Sequence, residues 1–391
     1  MICHRMFILT LAGVVSWAAF NAPLQLNAQP PAQLKPEQAA PIKADPSAHI
    51  RAAYELTKTA KSVKDYSSVI EQCGKAQIIG LNDEQSLYVK KLISWAHNRR
   101  GEAFADYAAQ LTADGENERA TEMDGKALSD FEIAVNNDPE RWKSRHNRGV
   151  SYALIGEYKN AIADFTKALE KKPDYTNAWF NRGEIYYEIG DYDKAIIDYD
   201  QTVKLQPNDF GAITSRGHAY FQAEKYREAL LDYIQAVRLQ PNSAIAYANR
   251  ADAYRSLSMW EDAATDYRES IRLDNQLGRA YQSAAWLMAT CPDERFRDQK
   301  LAIEAAQKAI GLDGQDDYRY LDTLAAAQAS SEQYEQAIAT IENAIKLAPT
   351  ADREELEKRM ALYKVGKPYR QGMFAATAAK RQPNGPNSTT R

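Results

Sequence analysis

The sequence predicts an all-α protein built as an α-solenoid of stacked helical hairpins, and three observations carry that reading. Prolines fall at 139, 173, 207 and 241, each 34 residues after the last. Aligned on them, a small residue recurs at the eighth position of the units (Gly149, Gly183, Gly217, Ala251, Ala285, Ala325) and an alanine at the twentieth (Ala161, Ala195, Ala229, Ala263, Ala302, Ala337). Within each half of a unit, apolar residues are spaced three or four apart, the helical period. One unit is therefore helix, tight turn, helix and a proline-containing turn. Proline ends the second helix because it lacks an amide donor and clashes with the preceding turn.

The N-terminus reads as an address. His4 and Arg5 precede an apolar run from Met6 to Phe20, shorter than the ~20 residues that span a bilayer as a helix. Length and flanks match a secretory signal over residues 1–28, cleaved after Ala28 or alternatively after Ala22. An uncleaved signal anchor is the competing reading. No Cys follows the run, so a lipoprotein anchor has no support. The expectation is an exported protein, periplasmic or secreted, with no stable membrane span in the mature chain. Cleavage removes Arg5 and no acid, moving the net charge from −4 to −5. Residues 29–47, rich in Pro, Ala and Gln, read as an extended linker.

The repeats follow. Tyrosine recurs at the eleventh position (Tyr152, Tyr186, Tyr220, Tyr254) and an aromatic at the twenty-fourth (Phe165, Tyr199, Tyr233, Tyr267). Small residues at positions 8 and 20 let two helices approach closely, and the aromatics fill the remaining space. One such hairpin cannot bury a core alone, whereas stacked hairpins share one. Residues 48–140 read as divergent units. There, either longer helices or an inserted loop around Ala113–Asn117 must absorb 14 extra residues. The array proper covers 142–350. Its unit at 278–316 carries five extra residues around Cys291-Pro292-Asp293-Glu294-Arg295. Residues 351–364 read as a polar capping helix and 365–391 as a flexible tail.

The unit Thr176–Asp209 carries Trp179, Gly183, Tyr186, Gly190, Tyr192, Ala195, Tyr199 and Pro207 at spacings that resemble the tetratricopeptide repeat (TPR) family, here of an exported bacterial type. The resemblance is close over about 142–277 and continues through 278–316 and 318–350 with departures. It implies a right-handed superhelix whose inner face is lined mainly by the first helix of each unit, at positions near 2, 5, 6, 9 and 12. It also implies a protein-interaction role.

A second pattern lies inside the repeats. Arg100, Arg148, Arg182, Arg216 and Arg250 hold position 7, and Asp130, Asp164, Asp198, Asp232 and Asp266 hold position 23. The last two units lose both members together, with Ala284 and Ala305, then Leu324 and Thr340. Joint presence and loss predict an ion pair between the two helices of a unit, since a guanidinium grips a carboxylate with two hydrogen bonds. Shared duplication ancestry without contact is the alternative.

The expected binding surface is a ladder at position 6: Asn147, Asn181, Ser215 and Asn249. Asparagine is a mediocre helix-interior residue, so its recurrence asks for a reason. Its amide offers a donor and an acceptor that could pair with one peptide unit of an extended ligand. The row is similar to the asparagine ladder in the TPR region of O-GlcNAc transferases, although no glycosyltransferase domain is present. A common Asn-Arg-Gly repeat variant facing solvent would give the same column. Neighbouring inward positions are His146, Phe180, Glu184, Thr214, His218 and Asp252. The chaperone-type carboxylate clamp is not supported, because Lys is missing at the matching places.

Other functions find no footing. With 49 basic against 53 acidic residues, the chain lacks the electrostatic footprint of a nucleic-acid binder. Three cysteines make neither a disulfide framework nor a zinc knuckle. Cys73 reads as a small core residue, and Cys291, in a loop, as a potentially reactive thiol. Asp313, Asp316 and Asp317 read as a solvated acidic loop. No nucleophile-elbow, phosphate-loop or zinc-protease motif is present. The expected function is a non-catalytic scaffold without a cofactor. It would bind a peptide or protein segment in the cell envelope; the alternative is an envelope protein that self-associates.

Overall fold

The computed structural model describes residues 45–314 and 316–373. The expected signal peptide, all but the end of the linker, and the tail from residue 374 lie outside the described residues. Among those described, helices account for nearly everything, and no strand occurs.

The chain divides after Pro207 into two compact units. The first holds α1 (Ser47–Thr57), α2 (Val63–Ile79), α3 (Asp83–Ala113), α4 (Asn117–Asn137), α5 (Trp142–Leu154), α6 (Tyr158–Lys171), α7 (Thr176–Glu188) and α8 (Tyr192–Leu205). The second holds α9 (Phe210–Gln222), α10 (Tyr226–Leu239), α11 (Ala244–Ser256), α12 (Trp260–Leu273), α13 (Gly278–Thr290), α14 (Gln299–Asp313), α15 (Tyr318–Ser330), α16 (Tyr334–Leu347) and α17 (Thr350–Lys364). In each unit, consecutive helices pair as antiparallel hairpins and each hairpin packs on the next. The 14 extra residues near position 113 lengthen both helices of their hairpin, α3 to 31 residues and α4 to 21. The five-residue insertion forms a short 3-10 turn, Glu294–Phe296, between α13 and α14.

The hairpin turn needs one residue in the left-handed region. Gly156 and Gly190 supply it at φ 79°, while Glu224, Ser258 and Glu332 hold the same turn at φ 59–62°. Between units, the proline carbonyl is also used. Arg145 Nε donates to Pro139 at 2.7 Å and Trp179 Nε1 to Pro173 at 2.8 Å, so the fourth residue of one unit anchors the end of the one before.

The tightest packing lies where the two helices of a hairpin meet. A Cβ built on Gly101 would stand 2.7 Å from the Phe131 ring, on Gly149 2.9 Å from Phe165, on Gly183 3.0 Å from Tyr199, and on Gly217 2.8 Å from Tyr233. The position-24 ring therefore lies directly on the position-8 glycine. Phe131, Phe165, Tyr199 and Tyr233 are all buried there.

Beside this contact sit the ion pairs expected from positions 7 and 23, and all five form with two parallel hydrogen bonds. Nε and Nη2 of Arg100, Arg148, Arg182, Arg216 and Arg250 reach their aspartates at 2.7–2.9 Å. The guanidiniums also lie near aromatic faces, Arg182 at 4.9 Å from Trp179 and Arg250 at 5.3 Å from Tyr247. Arg100 and Arg182 reach further, to Ser67 and Thr166 on the second helix of the preceding hairpin. Removing one partner of such a pair leaves a buried charge uncompensated, at a cost of about 3–5 kcal/mol.

The C-terminal hairpins lack this pair and use another. Arg359 on α17 grips Asp322 on α15 at 3.0 and 2.9 Å, and both are buried. Cys73 is buried, as a core residue should be, and burial pushes its thiol up to about 12. Cys291 opens the inserted loop as expected, but its expected reactivity is corrected: at the C-cap of α13 it is fully buried, in one cluster with Ala263, Tyr267 and Leu287, and burial raises its thiol too. Neither thiol is poised for reaction.

Gly149→Ala is expected to lose about 1–3 kcal/mol of stability by forcing a methyl into the Phe165 ring. Gly125→Ala on α4, where a Cβ meets nothing within 4 Å, should gain up to about 1 kcal/mol. Chemical denaturation checks both. Equal effects at the two sites would remove the close-approach argument.

Candidate peptide-binding face

In the first unit, the face formed by α3, α5 and α7 is crossed by one continuous hydrogen-bonded chain that ends on Glu102. Glu102 Oε1 accepts from Asn98 Nδ2 at 2.8 Å and from Asn147 Nδ2 at 3.0 Å, and Oε2 accepts from Arg99 at 2.8 Å. Asn147 Nδ2 also donates to Asn98 Oδ1 at 3.1 Å. Two acceptors on one side settle the orientation of the Asn147 amide. Its Oδ1 then faces His146 Nδ1, 3.3 Å away, and that nitrogen must be the donor. His146 Nε2 is left as acceptor, and Asn181 Nδ2 on α7 donates to it at 3.2 Å. Every donor points the same way, from Asn181 towards the Glu102 carboxylate. Burial pushes His146 down to about 4, so at neutral pH the ring holds the uncharged form this chain requires.

The asparagines expected to face a ligand are thus turned along the stack. Asn147, Asn181 and Asn249 are only 6, 5 and 1 % exposed. The position-6 amide of one unit meets position 5 or 9 of the unit before it. Thr323 continues the rule further on, accepting from Gln282 Nε2 at 2.7 Å. The physical reason is burial: an amide shielded from water must find its partners within the protein. Asn249 follows the rule more loosely: neither amide atom has a partner at strict hydrogen-bond geometry, yet its side chain bears on His218 at position 9 of the unit before. Ser215 is half-buried, and Thr214 Oγ1 is buried without a partner.

Side chains around this chain form a partly open surface. Trp142 and Tyr175 lie with ring centroids 4.6 Å apart, Tyr175 and His146 4.8 Å apart, and Lys143 Nζ stands 5.5 Å from the Trp142 ring. Burial pushes Tyr175 up to about 12. Burial also lowers the pKa of Arg141 and Lys143; Glu102 opposes the shift and Arg99 adds to it. Phe180 lies 5.7 Å from Tyr199, whose hydroxyl donates to Glu184 Oε1 at 2.6 Å.

In the second unit, Asp252 on α11 plays the collecting part. It accepts from the Tyr267 hydroxyl at 2.7 Å and from Arg279 Nη2 on α13 at 2.7 Å. Burial works to raise its carboxyl, but Arg279, Arg255 and Tyr267 outweigh that and hold it below the usual range. His218 lies 5.7 Å from Tyr233 and is pushed down to about 4, by burial first and then by Arg279.

Sequence reasoning missed Asn98, Arg99, Glu102, Tyr175 and Arg279. One signal was available: three successive units pair a polar residue at position 9 with tyrosine at position 24, as Glu184 with Tyr199, His218 with Tyr233, and Asp252 with Tyr267. Among the described residues, no group of three or more His, Cys, Asp or Glu could hold a metal ion, and no helix is long and apolar enough to cross a membrane. Asp317 caps α15 and pairs with Arg319, and Asp313 accepts from Tyr320.

Helical hairpins of this length, closed by a small-residue column under an aromatic ring, define a repeat class. Models of the tetratricopeptide repeat match residues 176–209 and 318–350, and a TPR repeat model matches 149–190 and 217–258. The chain is a tetratricopeptide-repeat protein. It is similar to a tetratricopeptide repeat protein from Parabacteroides merdae ATCC 43184, at 16% identity over 68% of this chain and 98% of that one, with a TM-score of 0.51. Looser similarities include yeast Tom70 (18% identity, 89% of this chain and 71% of that, TM-score 0.43). Another is YrrB, described as a TPR protein with an unusual peptide-binding site (20% identity, 46% and 88%, TM-score 0.39). Only the first superposition shows a shared fold. No curated protein matches the sequence.

Protonation of His146 should report on the hydrogen-bonded chain. Its folded pKa is depressed, so the unfolded state takes up a proton first as pH falls. Stability is intact above the unfolded value of about 6.5 and declines as pH falls towards the folded value of about 4. Wild type should lose about 2 kcal/mol more than His146→Gln between pH 7.5 and pH 5. Parallel stability curves in urea at the two pH values would contradict the buried neutral ring.

Proposed function

We propose that the chain is a non-catalytic scaffold that binds an extended peptide or protein segment across the face of its first helices. The observation that carries this reading is how that face is held. Its inward amides and carboxylates are tied to the neighbouring repeat, which fixes the residues around them. In the first unit these are Lys143, Tyr175, Phe180 and Glu184, partly accessible and mixed in aromatic, cationic and anionic character. A surface held in place beforehand loses less side-chain freedom on binding. The asparagines support such a surface as struts along the stack. Arg141 and Lys143, incompletely compensated by Glu102, favour a segment carrying acidic groups.

Peptides selected from a displayed random library against the mature chain test this. Affinity of the selected peptides should fall at least tenfold in Phe180→Ala or Lys143→Glu and stay unchanged in Ile197→Ser on the second helix α8. Binding that is indifferent to α5 and α7, or lost through α8, overturns the reading. Exposed Ile197 and Leu231, each on a second helix, favour the second reading, self-association. It would appear as a concentration-dependent size without ligand, abolished by Ile197→Ser or Leu231→Ser.

We place the protein in the cell envelope on the strength of the signal-like residues 1–28. Sequencing the N-terminus of the native protein should find it beginning at Gln29 or Pro23. An intact Met1 in the cytosolic fraction would exclude export.

A further inference from the structure

The segment after α17 folds back onto the first-helix face of the second unit. Gly366, at φ 67°, ends the helix: its amide donates to Tyr363 and that of Lys367 to Leu362, a left-handed cap that satisfies the last carbonyls. Pro368 then prevents any continuation. The next residues dock. Tyr369 is buried with its ring 5.9 Å from Trp286, which occupies position 9 of its unit, the register of Glu184 and Asp252. The Arg359 guanidinium stands 5.5 Å from the Trp286 ring and 5.4 Å from the Tyr369 ring, held in place by Asp322 and by Glu355 at 2.7 Å. Arg370 Nη1 donates to the Ala289 carbonyl at 2.9 Å and to Ser330 Oγ at 3.4 Å, and the Gln371 amide donates to the Thr290 carbonyl at 2.8 Å.

Each contact is of a general kind. Ala289, Thr290 and Ser330 end first helices, where carbonyls lack an intrahelical partner and the helix dipole is negative. A cation there is favoured whichever chain supplies it. Trp286 with Arg359 makes a flat, charged platform for any aromatic ring. Arg370 itself meets carbonyls and a hydroxyl, and burial, then the nearby Arg297, disfavours its charge. The strap is thus held by the Trp286 ring, the Arg359 guanidinium, two carbonyls and a hydroxyl, and by the buried cluster of the last hairpin that Tyr369 joins with Ala325, Ile341, Leu356 and Tyr363, together with the advantage of being tethered.

We propose that Trp286, Arg359, the carbonyl end of α13 and the Ser330 hydroxyl at the end of α15 form a recognition site for an extended segment carrying an aromatic residue followed by arginine, and that Tyr369-Arg370 occupies it in cis as a built-in ligand. This rests on the reading of the first-helix face as the binding face and names the chemistry one part of it takes. Tethering presents the cis segment at an effective concentration on the millimolar scale. A segment in trans therefore competes only weakly until the strap is displaced.

The test uses the mature full-length chain with Tyr369→Ala and Arg370→Ala together, and a fluorescent peptide, Gly-Lys-Pro-Tyr-Arg-Gln-Gly-Met, copying residues 366–373. The double variant should bind the peptide saturably, at least tenfold more tightly than wild type. Replacing Tyr or Arg of the peptide by Ala, or adding Trp286→Ala to the protein, should each weaken binding tenfold or more. Equal affinity for wild type and the double variant, or no binding by a double variant with wild-type helicity, overturns the proposal. If the double variant does not fold, Arg370→Ala alone takes its place with the same criteria. Loss of this peptide while library-selected peptides still depend on Phe180 and Lys143 would sink the strap site and leave the scaffold reading standing.

Discussion

The structure depends on how closely the two helices of a hairpin approach. Where the position-24 ring rests on a position-8 glycine, even a methyl is crowded: at Gly101, Gly149 and Gly217 it would force the ring to shift, and at Gly183 it would just touch it. That approach brings the neighbouring positions 7 and 23 within reach, so that guanidinium and carboxylate meet with two bonds. A Cβ on Gly183 or Gly217 would also stand 3.3 or 3.2 Å from the Cβ of Asp198 or Asp232, so the same glycine clears the way for the ion pair. Dispersion and burial supply most of the stability. The ion pair sets the register of one helix against the other, a role suited to a buried polar contact of modest net energy.

Register within each hairpin fixes what lies between hairpins. With the first helices in line, position 6 of one faces positions 5 and 9 of the one before. The residues found there are those that can share hydrogen bonds: Asn with Glu, Asn with His, Gln with Thr. In the first unit they form a polar chain with one direction, closed by a carboxylate, and a neutral histidine in its middle is a consequence of that order. Side chains on the outer part of the same face are held by these struts. A scaffold of this kind gains affinity from being already arranged when its ligand arrives.

Much of this was legible in the sequence, and the limits have physical causes. The proline period, the small and aromatic columns and the Arg–Asp pairs are intra-repeat features, so they recur with a fixed offset and declare themselves. The asparagine column was equally visible, but its direction was not. A period of 34 residues says that Asn147 and Asn181 share a face, without saying whether their amides meet a ligand or the next repeat. Glu102 and Arg99 belong to a hairpin whose lengthened helices obscure the alignment. Arg359 with Asp322, and Tyr369 with Trp286, join segments that occur once, so no repetition marks them. Cys291 read as potentially reactive because it opens an insertion; here the chain enters the loop from a buried helix end.

Hydrogen–deuterium exchange of the mature chain, alone and saturated with a library-selected peptide, tests the central claim most directly, because it shows which helices the ligand shields. The account predicts added protection in first helices, above all α5 and α7, with second helices such as α6 and α8 unchanged. Protection confined to second helices, or none at saturating peptide, would contradict it.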